Sequence, residues 1–428
     1  MSSPCIKGRA LTRRLLSAAW LAAAAIALPA MAQDGASLLE QAGVKGGLIV
    51  HLGCGDGKLT AQLRAGEQYV VHGLDTDAAA IAAARRRLLA QGVYGPVSVD
   101  RWDGRHLPYA DNLVNLIVAE DSAQASEGEL LRALAPLGVI LRRDGKQWKR
   151  TAKPWPGEMD EWTHYLHGPD GNPLADDSLV GPPTRLQWVG SPGWARHHDH
   201  MASMTSLVSA QGRLFYIFDE GPTASIQLPS RWRLIARDAF NSVVLWKRKI
   251  DQWNTRHYPL KSGPAHLLRR LVAVGDRVYV TLGIDAPAVA LDAATGKTAL
   301  TFAGSEHTRE IVVSDGVVFL VADSAPSKLL EWRRTDTYVW ANTAAPTPVG
   351  AGEAMPVEYW PTAQTPQVCY GRSSCPWLRA PWRPTPNGSC SMTGRSSSAS
   401  IDATARCCGQ ASPCPSGCRC IRAPARAC

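Results

Sequence analysis

Residues 48–57 read Leu-Ile-Val-His-Leu-Gly-Cys-Gly-Asp-Gly, and a second apolar run, residues 69–74, ends at Asp75. An apolar strand that enters closely spaced glycines can turn sharply and bring its backbone close to a ligand. An acidic residue about 20 positions later, at the tip of the next strand, can accept both hydroxyls of a ribose. The stretch therefore predicts an α/β Rossmann-like domain with a nucleoside-binding loop.

The glycine spacing narrows the class of ligand. The three glycines are Gly53, Gly55 and Gly57, so the pattern is GxGxG. The dinucleotide fingerprint requires its third glycine at the position that is Lys58 in this chain. The spacing therefore favours a nucleoside without a pyrophosphate over NAD or FAD.

Further landmarks follow the glycine loop in a recognisable order. Asp77 can cap a helix over residues 78–91, which Gly92 would end. From Leu38 to Asp144 the chain resembles a class I S-adenosylmethionine-dependent methyltransferase domain. The resemblance extends to a third strand with its adenine-contacting loop (97–104), a fourth-strand motif (107–119), and a helix (130–138) with a fifth strand (139–141).

The resemblance implies a cofactor, S-adenosylmethionine, and a set of residues that would hold it. Gly53, Gly55 and Gly57 would shape the cofactor loop, Asp75 would bind the ribose, and Asp103 would contact the adenine amine. No residue that activates a methyl acceptor can be named. Such a residue is optional, because a methyl transfer needs alignment of the reactants more than a general base.

The sequence departs from the family pattern at three points. His51 stands where an acid usually begins the glycine motif, and Asn115 replaces the acid of the fourth strand. Unrelated sequence begins by about Pro154, which leaves no room for the last two strands. An active methyltransferase and a Rossmann-like domain that has lost catalysis both remain open.

The first 32 residues have the features of a secretory leader. Three arginines precede an apolar run from Leu15 to Leu28, and Ala30-Met31-Ala32 resembles a cleavage site. The run is too short to predict a permanent membrane span, although an uncleaved anchor is the alternative. We expect cleavage before Gln33 and export to the periplasm or beyond, where the supply of cytoplasmic S-adenosylmethionine is unexplained.

Length and composition predict a soluble protein of two to three domains. The 428 residues are 45% hydrophobic and 19% charged, which is enough to form cores. The formal charge of +9 is not a nucleic-acid signal, because the arginines are scattered rather than clustered. Residues 151–195 are rich in Trp, Pro and Gly and predict a long linker that packs through its tryptophans.

The region after the linker is repetitive. Residues 207–218, 271–282 and 311–322 align without gaps as two β-branched runs around a turn that contains glycine. This pattern predicts β-hairpins, and the 40-residue interval between the second and third copies is about one propeller blade.

A second element follows two of these hairpins. Residues 289–300 contain a turn framed by Asp292 and Gly296, and residues 234–246 match them and end at Trp246. These segments resemble the blades of pyrroloquinoline-quinone-type β-propellers, in which such a Trp docks on a neighbouring turn. The resemblance implies an incomplete propeller, since closed propellers have four to eight blades. For quinone binding the resemblance is weak, because many such propellers are scaffolds without a cofactor, and no catalytic carboxylate for a quinone-dependent oxidation can be located.

The histidines and nearby acids give a weaker site signal. His198 and His200 would share one face of a strand and could bind a divalent metal, but a polar structural loop fits them as well. Asp160 and Glu161 could serve as acids, although nothing in their spacing requires it.

The last 88 residues differ from everything before them. From Ala341 onward the only Leu, Ile and Phe residues are Leu378, Ile401 and Ile421, and nine of the eleven cysteines lie in this segment. A frameshifted translation explains this composition best, and a disordered tail or a disulfide-stapled module is the alternative. We expect no packed domain beyond about residue 340.

The sequence thus predicts an α/β Rossmann-like domain joined to an all-β partial propeller. The predicted segments are a signal peptide (1–32), a methyltransferase-like domain (33–150), a linker (151–195), an incomplete propeller (196–340) and a tail without a fold (341–428). The expected function is S-adenosylmethionine-dependent methyl transfer. The alternatives are an exported, non-catalytic scaffold that binds a protein or small molecule through its propeller loops and, last, a quinone-dependent oxidoreductase. No nucleic acid and no membrane span after cleavage are expected.

Overall fold

The structure, a computed structural model, describes most of the chain between residues 34 and 326. The described residues are 34–182, 186–193, 203–224, 228–251, 253, 265–323 and 326, together with the backbone of five short strands farther on. The predicted signal peptide and the candidates His198 and His200 lie outside the described residues. Within the described part, no helix has the length and apolar character that a membrane crossing requires.

The first body is a six-stranded sheet with helices on both faces. Its strand order is β3-β2-β1-β4-β5-β6, and all neighbours are parallel except β5 and β6. Helices α1 and α3 pack on one face and α4 packs on the other. The elements are α1 Gly35–Ala42, β1 Gly47–Leu52, α2 Lys58–Gln62, β2 Tyr69–Asp75, α3 Ala78–Ala90, β3 Val97–Arg101, β4 Val114–Ala119, α4 Glu127–Ala133, β5 Leu134–Asp144 and β6 Gln147–Ala152.

The sequence signals for β1 and α3 are confirmed. β1 is almost wholly buried because helices cover both faces of the parallel sheet. The carboxylate of Asp77 accepts a hydrogen bond from the Ala79 N–H at 2.8 Å and so begins α3. Gly92 follows the helix with φ of +67°, a conformation that glycine adopts without strain.

One expectation about the end of this sheet was wrong. The helix expected over residues 130–138 ends at Ala133, and Leu134 already begins β5. One further strand, β6, follows β5 and pairs antiparallel with it through a tight turn at Gly145. The apolar run that suggested a helix is buried as a strand instead, since β5 lies between β4 and β6.

The second body consists mostly of antiparallel sheets. Two sheets have four strands each, in the orders β10-β9-β8-β7 and β11-β12-β13-β14, and a third begins β15-β16. The elements are β7 Met204–Ala210, β8 Arg213–Asp219, β9 Trp232–Asp238, β10 Val244–Lys249, α5 Ala265–Leu268, β11 Leu271–Val274, β12 Arg277–Thr281, β13 Ala288–Asp292, β14 Thr298–Thr301, β15 Thr308–Ser314 and β16 Val317–Ala322. The three predicted hairpins are confirmed.

The predicted docking tryptophan joins the sheet of strands β7 to β10 to the sheet of strands β11 to β14. Trp246 donates its indole N–H to the Ala293 carbonyl at 2.9 Å, in the turn between β13 and β14. Gly296 has φ of +69°, and a Cβ there would lie 2.6 Å from the Trp246 ring. Only glycine allows the ring to pack this closely. Ser242 occupies the matching place in the first sheet, with φ of +67°.

Three consecutive residues of the linker form hydrogen bonds with the three antiparallel sheets, one residue with each sheet. The carbonyls of Trp162 and Thr163 accept the N–H groups of Ser209 and Ala273 at 2.7 and 3.0 Å. Nε2 of His164 accepts the N–H of Val313 at 3.0 Å. The three partners lie on β7, β11 and β15, each at the third position of its predicted repeat. The first strands of the three sheets are thereby tied to one segment.

Five short strands are described beyond residue 340. β17 (Val357–Pro361) pairs with β16, and the third sheet continues through β18 (Gln367–Tyr370) to β21 (Arg419–Arg422). β19 (Trp382–Pro384) and β20 (Cys390–Met392) form a separate pair. The sequence had not predicted these strands. The rest of residues 327–428 lies outside the described residues, so the expected absence of a packed domain there stays a prediction.

Candidate cofactor site

The three predicted loop glycines follow β1 and all adopt positive φ. The angles are +77° at Gly53, +53° at Gly55 and +75° at Gly57. A Cβ at Gly57 would lie 2.9 Å from Cβ of Ala84 on α3, so this glycine permits close packing of the helix. A Cβ at Gly55 would meet nothing within 4 Å. The middle of the loop therefore faces open space, and its backbone can be approached closely.

Asp75 lies beside this loop at the end of β2. Its Oδ2 accepts the Gly55 N–H at 2.9 Å, and its Oδ1 accepts the Asp77 N–H at 3.0 Å. An ionised carboxylate has about four acceptor positions, so each oxygen retains one. The half-buried carboxylate is thus held in a fixed orientation and can still accept two hydroxyl hydrogens.

Asp103 is less available than the sequence suggested. Its Oδ1 accepts the N–H groups of Arg105 and His106 at 2.7 and 2.8 Å, and its Oδ2 lies 3.1 Å from the His106 ring. The backbone hydrogen bonds from His106 and Arg105 lower the pKa of Asp103 to about 2. The residue follows β3 as predicted, but its carboxylate chiefly organises its own loop.

Cys54, inside the loop, is a packed residue rather than a nucleophile. The thiol is buried, and burial, together with the charge of Asp75, raises its pKa to about 12. A thiol in this environment stays protonated and unreactive.

The buried His51 and the partly buried Glu120, a pair that the sequence did not reveal, lie beside the loop. His51 is 2% exposed, and its Nδ1 is hydrogen-bonded to Thr60 Oγ1 at 2.8 Å. Its Nε2 lies 3.8 Å from Oε1 of Glu120, which directly follows β4. Arg143 Nη1 donates to the other oxygen of Glu120 at 3.3 Å. The position of Glu120 at the carboxyl end of a parallel strand was the signal that could have identified it.

These neighbours keep Glu120 ionised. Burial alone would raise the pKa of Glu120, but the His51 imidazole and the Arg143 guanidinium lower it below its ordinary value. Arg143 also stacks on Trp148, with its guanidinium carbon 5.4 Å from the ring centroid. A fixed negative charge therefore stands next to the glycine loop.

Asn115, the second departure from the family pattern, belongs to the opposite edge of the sheet. Its Oδ1 accepts the Leu48 N–H at 2.8 Å and the Asn241 side-chain amide at 2.6 Å. Its Nδ2 donates to Asp238 Oδ2 at 2.7 Å. Asp238 is buried, which raises its pKa, although the hydrogen bonds from Asn115 and two backbone N–H groups act in the opposite direction. An acid at position 115 could not donate to Asp238, which explains the asparagine.

A cavity of about 110 Å³ borders this contact. Its lining includes residues 43–46, Asn115, Asp238 and Arg213. None of the predicted cofactor residues lines it. The cavity therefore belongs to the junction between the first body and the first antiparallel sheet.

The two acids considered in the linker are engaged structurally. Asp160 Oδ2 accepts from His167 Nε2 at 2.7 Å and from the Asp176 N–H at 2.6 Å. Glu161 Oε1 accepts the Gln211 N–H at 2.6 Å. Among the residues that the structure describes, no group of three or more His, Cys, Asp or Glu side chains could hold a metal ion.

Comparison with known proteins agrees with the class of fold. Residues 49–145 match a protein-family profile described as a methyltransferase domain. No curated protein matches the chain. The N-terminal region thus has a Rossmann-like methyltransferase fold, with the glycine loop and Asp75 inside the matched residues.

Solved structures also resemble the chain, and each match covers 25% of it. YcgJ from Bacillus subtilis is 18% identical over 48% of its own length, with a TM-score of 0.23. The [4+2]-cyclase SpnF is 23% identical over 42%, with a TM-score of 0.24. Geranyl diphosphate C-methyltransferase from Streptomyces coelicolor A3(2) is 19% identical over 43%, also with a TM-score of 0.24. The chain therefore spans less than half of each of these three proteins.

Proposed function

We propose that residues 34–152 bind S-adenosylmethionine and transfer its methyl group to an acceptor. The observation that carries the proposal is the bond between the Gly55 N–H and Asp75 Oδ2, beside a loop that is open at Gly55. In this geometry Asp75 would accept the ribose hydroxyls while the loop backbone approaches the nucleoside. Asp103, on the next loop, would lie near the adenine.

The chemistry requires little of the protein beyond alignment. When bound, S-adenosylmethionine supplies an electrophilic methyl group on a sulfonium, and the displaced sulfur departs as a neutral thioether. The chain's own contribution is to fix the nucleoside through Asp75 and the loop and to hold a negative charge at Glu120. Holding two reactants in line accounts for a large share of the barrier reduction in such transfers.

For residues 196–340 we propose an incomplete β-propeller of the quinoprotein-like class. The two four-stranded antiparallel sheets, β7 to β10 and β11 to β14, are both meanders. The first strand of the later sheet, β11, contacts both β7 and β15. Trp246 docks on the next sheet, as blade tryptophans do in that class. A quinone site is not part of the proposal.

A second candidate function is an exported, catalytically idle scaffold that presents the propeller loops to a partner. Asn115 favours this scaffold function. Its position is an acid in the family pattern, but here the side chain is an asparagine that donates to Asp238 and joins the two bodies. We propose export on the leader-like sequence of residues 1–32. Amino-terminal sequencing of the mature protein tests this, with Gln33 as the expected first residue and Met1 as the contradicting one.

Calorimetric titration of the full chain with S-adenosylmethionine separates the two functions. We expect saturable binding that Asp75→Ala weakens about 10- to 100-fold, the range for losing hydrogen bonds to a charged group. Glu40→Ala removes an exposed carboxylate from α1 and is the matched control. A folded protein that does not bind would contradict methyl transfer and favour the scaffold.

A further inference from the structure

The three antiparallel sheets pack on one another through matching positions of the aligned repeats. We call the sheets I (β7 to β10), II (β11 to β14) and III (β15 and β16 with the strands that continue it), and we number each repeat from residue 207, 271 or 311. Because side chains alternate along a strand, positions 2 and 9 lie on one face of a sheet and positions 1, 8 and 10 on the other. Sheets I and II share a buried core that contains Val208, Phe215, Leu271, Val278 and Val280. Sheets II and III share the next core, which contains Val272, Tyr279, Ile311, Val318 and Leu320. Positions 2 and 9 of one sheet therefore pack toward positions 1, 8 and 10 of the next.

The outer face of sheet I carries the same apolar positions without a preceding sheet to cover them. Leu207, Leu214 and Tyr216 occupy positions 1, 8 and 10. Leu207 is 44% exposed and the other two are half-buried, whereas these positions in sheets II and III are at most 2% exposed. None of the three belongs to a hydrophobic core formed by the described residues. The linker touches one end of the face, where Arg237 donates to the Ser191 carbonyl at 2.6 Å and to the Tyr216 hydroxyl at 3.1 Å.

The outer face of sheet III carries the complementary positions. Val312 occupies position 2, and Val321, at position 11, lies on the same face. Both side chains are half-buried, whereas Val208 and Ile217, at the same positions in sheet I, are at most 1% exposed. Neither valine belongs to a hydrophobic core of the described part of the chain. The array of sheets thus ends in two different apolar faces, each of the kind that covers the other inside the chain.

We propose that a second copy of this chain covers both faces, with sheet III of one protomer packed on sheet I of its partner, and the reverse contact closing a ring of two chains. The occupant follows from the pattern. In both internal contacts the surface that covers positions 1, 8 and 10 is the opposite face of a sheet of the same repeat, and sheet III carries a further surface of that kind.

The number of sheets is compatible with closure. The contact joins different patches of two identical chains, and such a contact ends in a ring only when the rotation closes. Two copies of three sheets give six, which lies within the four to eight blades of closed propellers. Three sheets then span half a circle, so one twofold axis completes the ring. This count rests on the proposed incomplete propeller, and neither the count nor the paired faces depend on methyl transfer.

Sedimentation velocity of the full chain and two charge variants tests the proposal. Leu207→Lys places a cation on the outer face of sheet I, and Val312→Glu places an anion on that of sheet III. We expect the wild type to have twice the mass of one chain and each variant alone to lose the dimer, because an unpaired charge would be buried against an apolar face. An equimolar mixture of the two variants should dimerise again, since one interface is unaltered and the other pairs lysine with glutamate. Leu300→Lys, at a leucine that is 45% exposed on β14, is the matched control and should stay dimeric.

Several results would overturn the inference. A folded wild type that stays monomeric would refute it and leave the incomplete propeller as proposed. A dimer that Leu207→Lys abolishes but Val312→Glu leaves unchanged would join two copies of sheet I instead, and failure of the mixture to dimerise would refute the pairing of the two faces. Species of steadily growing mass would show that the contact does not close, which would contradict the propeller geometry as well. Thermal unfolding establishes that each variant is folded, and Leu214→Lys and Val321→Glu replace a variant that is not.

Discussion

Nε2 of His164 accepts a hydrogen bond from the backbone N–H of Val313, 149 residues farther along the chain. Because Nε2 is the acceptor, the ring is neutral and its proton lies on Nδ1, 2.8 Å from Thr163 Oγ1. With Trp162 and Thr163, this residue ties the first strands of three sheets to one short segment. The linker is thus part of the core of the second body.

Replacing His164 with leucine should destabilise the second body. The change introduces an apolar side chain of similar size and leaves the buried Val313 N–H without its acceptor, which costs about 1–3 kcal/mol. Urea denaturation measures this loss. His106→Leu, at a side chain that is 81% exposed, is the control and should change stability little. An unchanged midpoint for His164→Leu would show that the linker contact is dispensable.

The same histidine should make stability fall in mild acid. Burial lowers the pKa of His164 to about 4, with His167 acting in the same direction and Asp170 opposing it. The unfolded chain, with an ordinary histidine pKa of 6.5, binds the proton first as pH falls. The contribution of His164 to the free energy of unfolding is fully present above pH 6.5. It decreases by about 3 kcal/mol as the pH falls to 4. Denaturation midpoints of wild type and His164→Leu should therefore converge over this range, and parallel curves would contradict it.

Asn115→Asp should weaken the junction between the two bodies. The variant loses the Nδ2 donor and places a second carboxylate beside the buried Asp238, 2.7 Å from its oxygen. Losing a hydrogen bond to a charged group costs about 1.5–3 kcal/mol, to which the repulsion between two carboxylates adds. Protonation of Asp238, whose pKa is raised by burial, reduces this cost. Thermal unfolding at pH 7 and pH 5 checks both points, with a smaller loss at pH 5. Asn172→Asp, on an exposed loop, should behave like wild type at both values.

Gly57→Ala should cost more stability than Gly43→Ala. The two glycines have nearly the same φ, +75° and +74°, so the backbone strain of an alanine is matched. A Cβ at Gly57 would lie 2.9 Å from Ala84 Cβ, whereas one at Gly43 would meet nothing within 4 Å. The crowding should add about 1–3 kcal/mol to the free energy lost on Gly57→Ala. Equal losses would mean that α3 can move away from the loop.

Local signals in the sequence were sufficient for several elements. The GxGxG loop with Asp75, the capped helix α3, and the hairpins around Gly212, Gly275 and Gly316 all depend on residues close together in the chain. Positive φ at a glycine or a cap at an aspartate is decided by neighbours within a few positions. Such features can be read without knowledge of the fold.

Long-range partners could not be read in this way. The asparagine at 115 looked like a lost catalytic acid, yet its role is set by Asp238, 123 residues away. Leu134 looked helical, but its place between two strands made it part of β5. Glu120 had no motif of its own and became a candidate only when β4 brought it beside His51. The spacing of residues along the sequence does not reveal these long-range contacts.

The crystal structure of the full chain with S-adenosylhomocysteine tests the central claim most directly. We expect the ribose hydroxyls within about 3.2 Å of the Asp75 carboxylate, with the nucleoside over Gly55. Ligand density at any other place, such as the cavity beside Asn115, would contradict the account. So would an empty loop in crystals grown at saturating ligand.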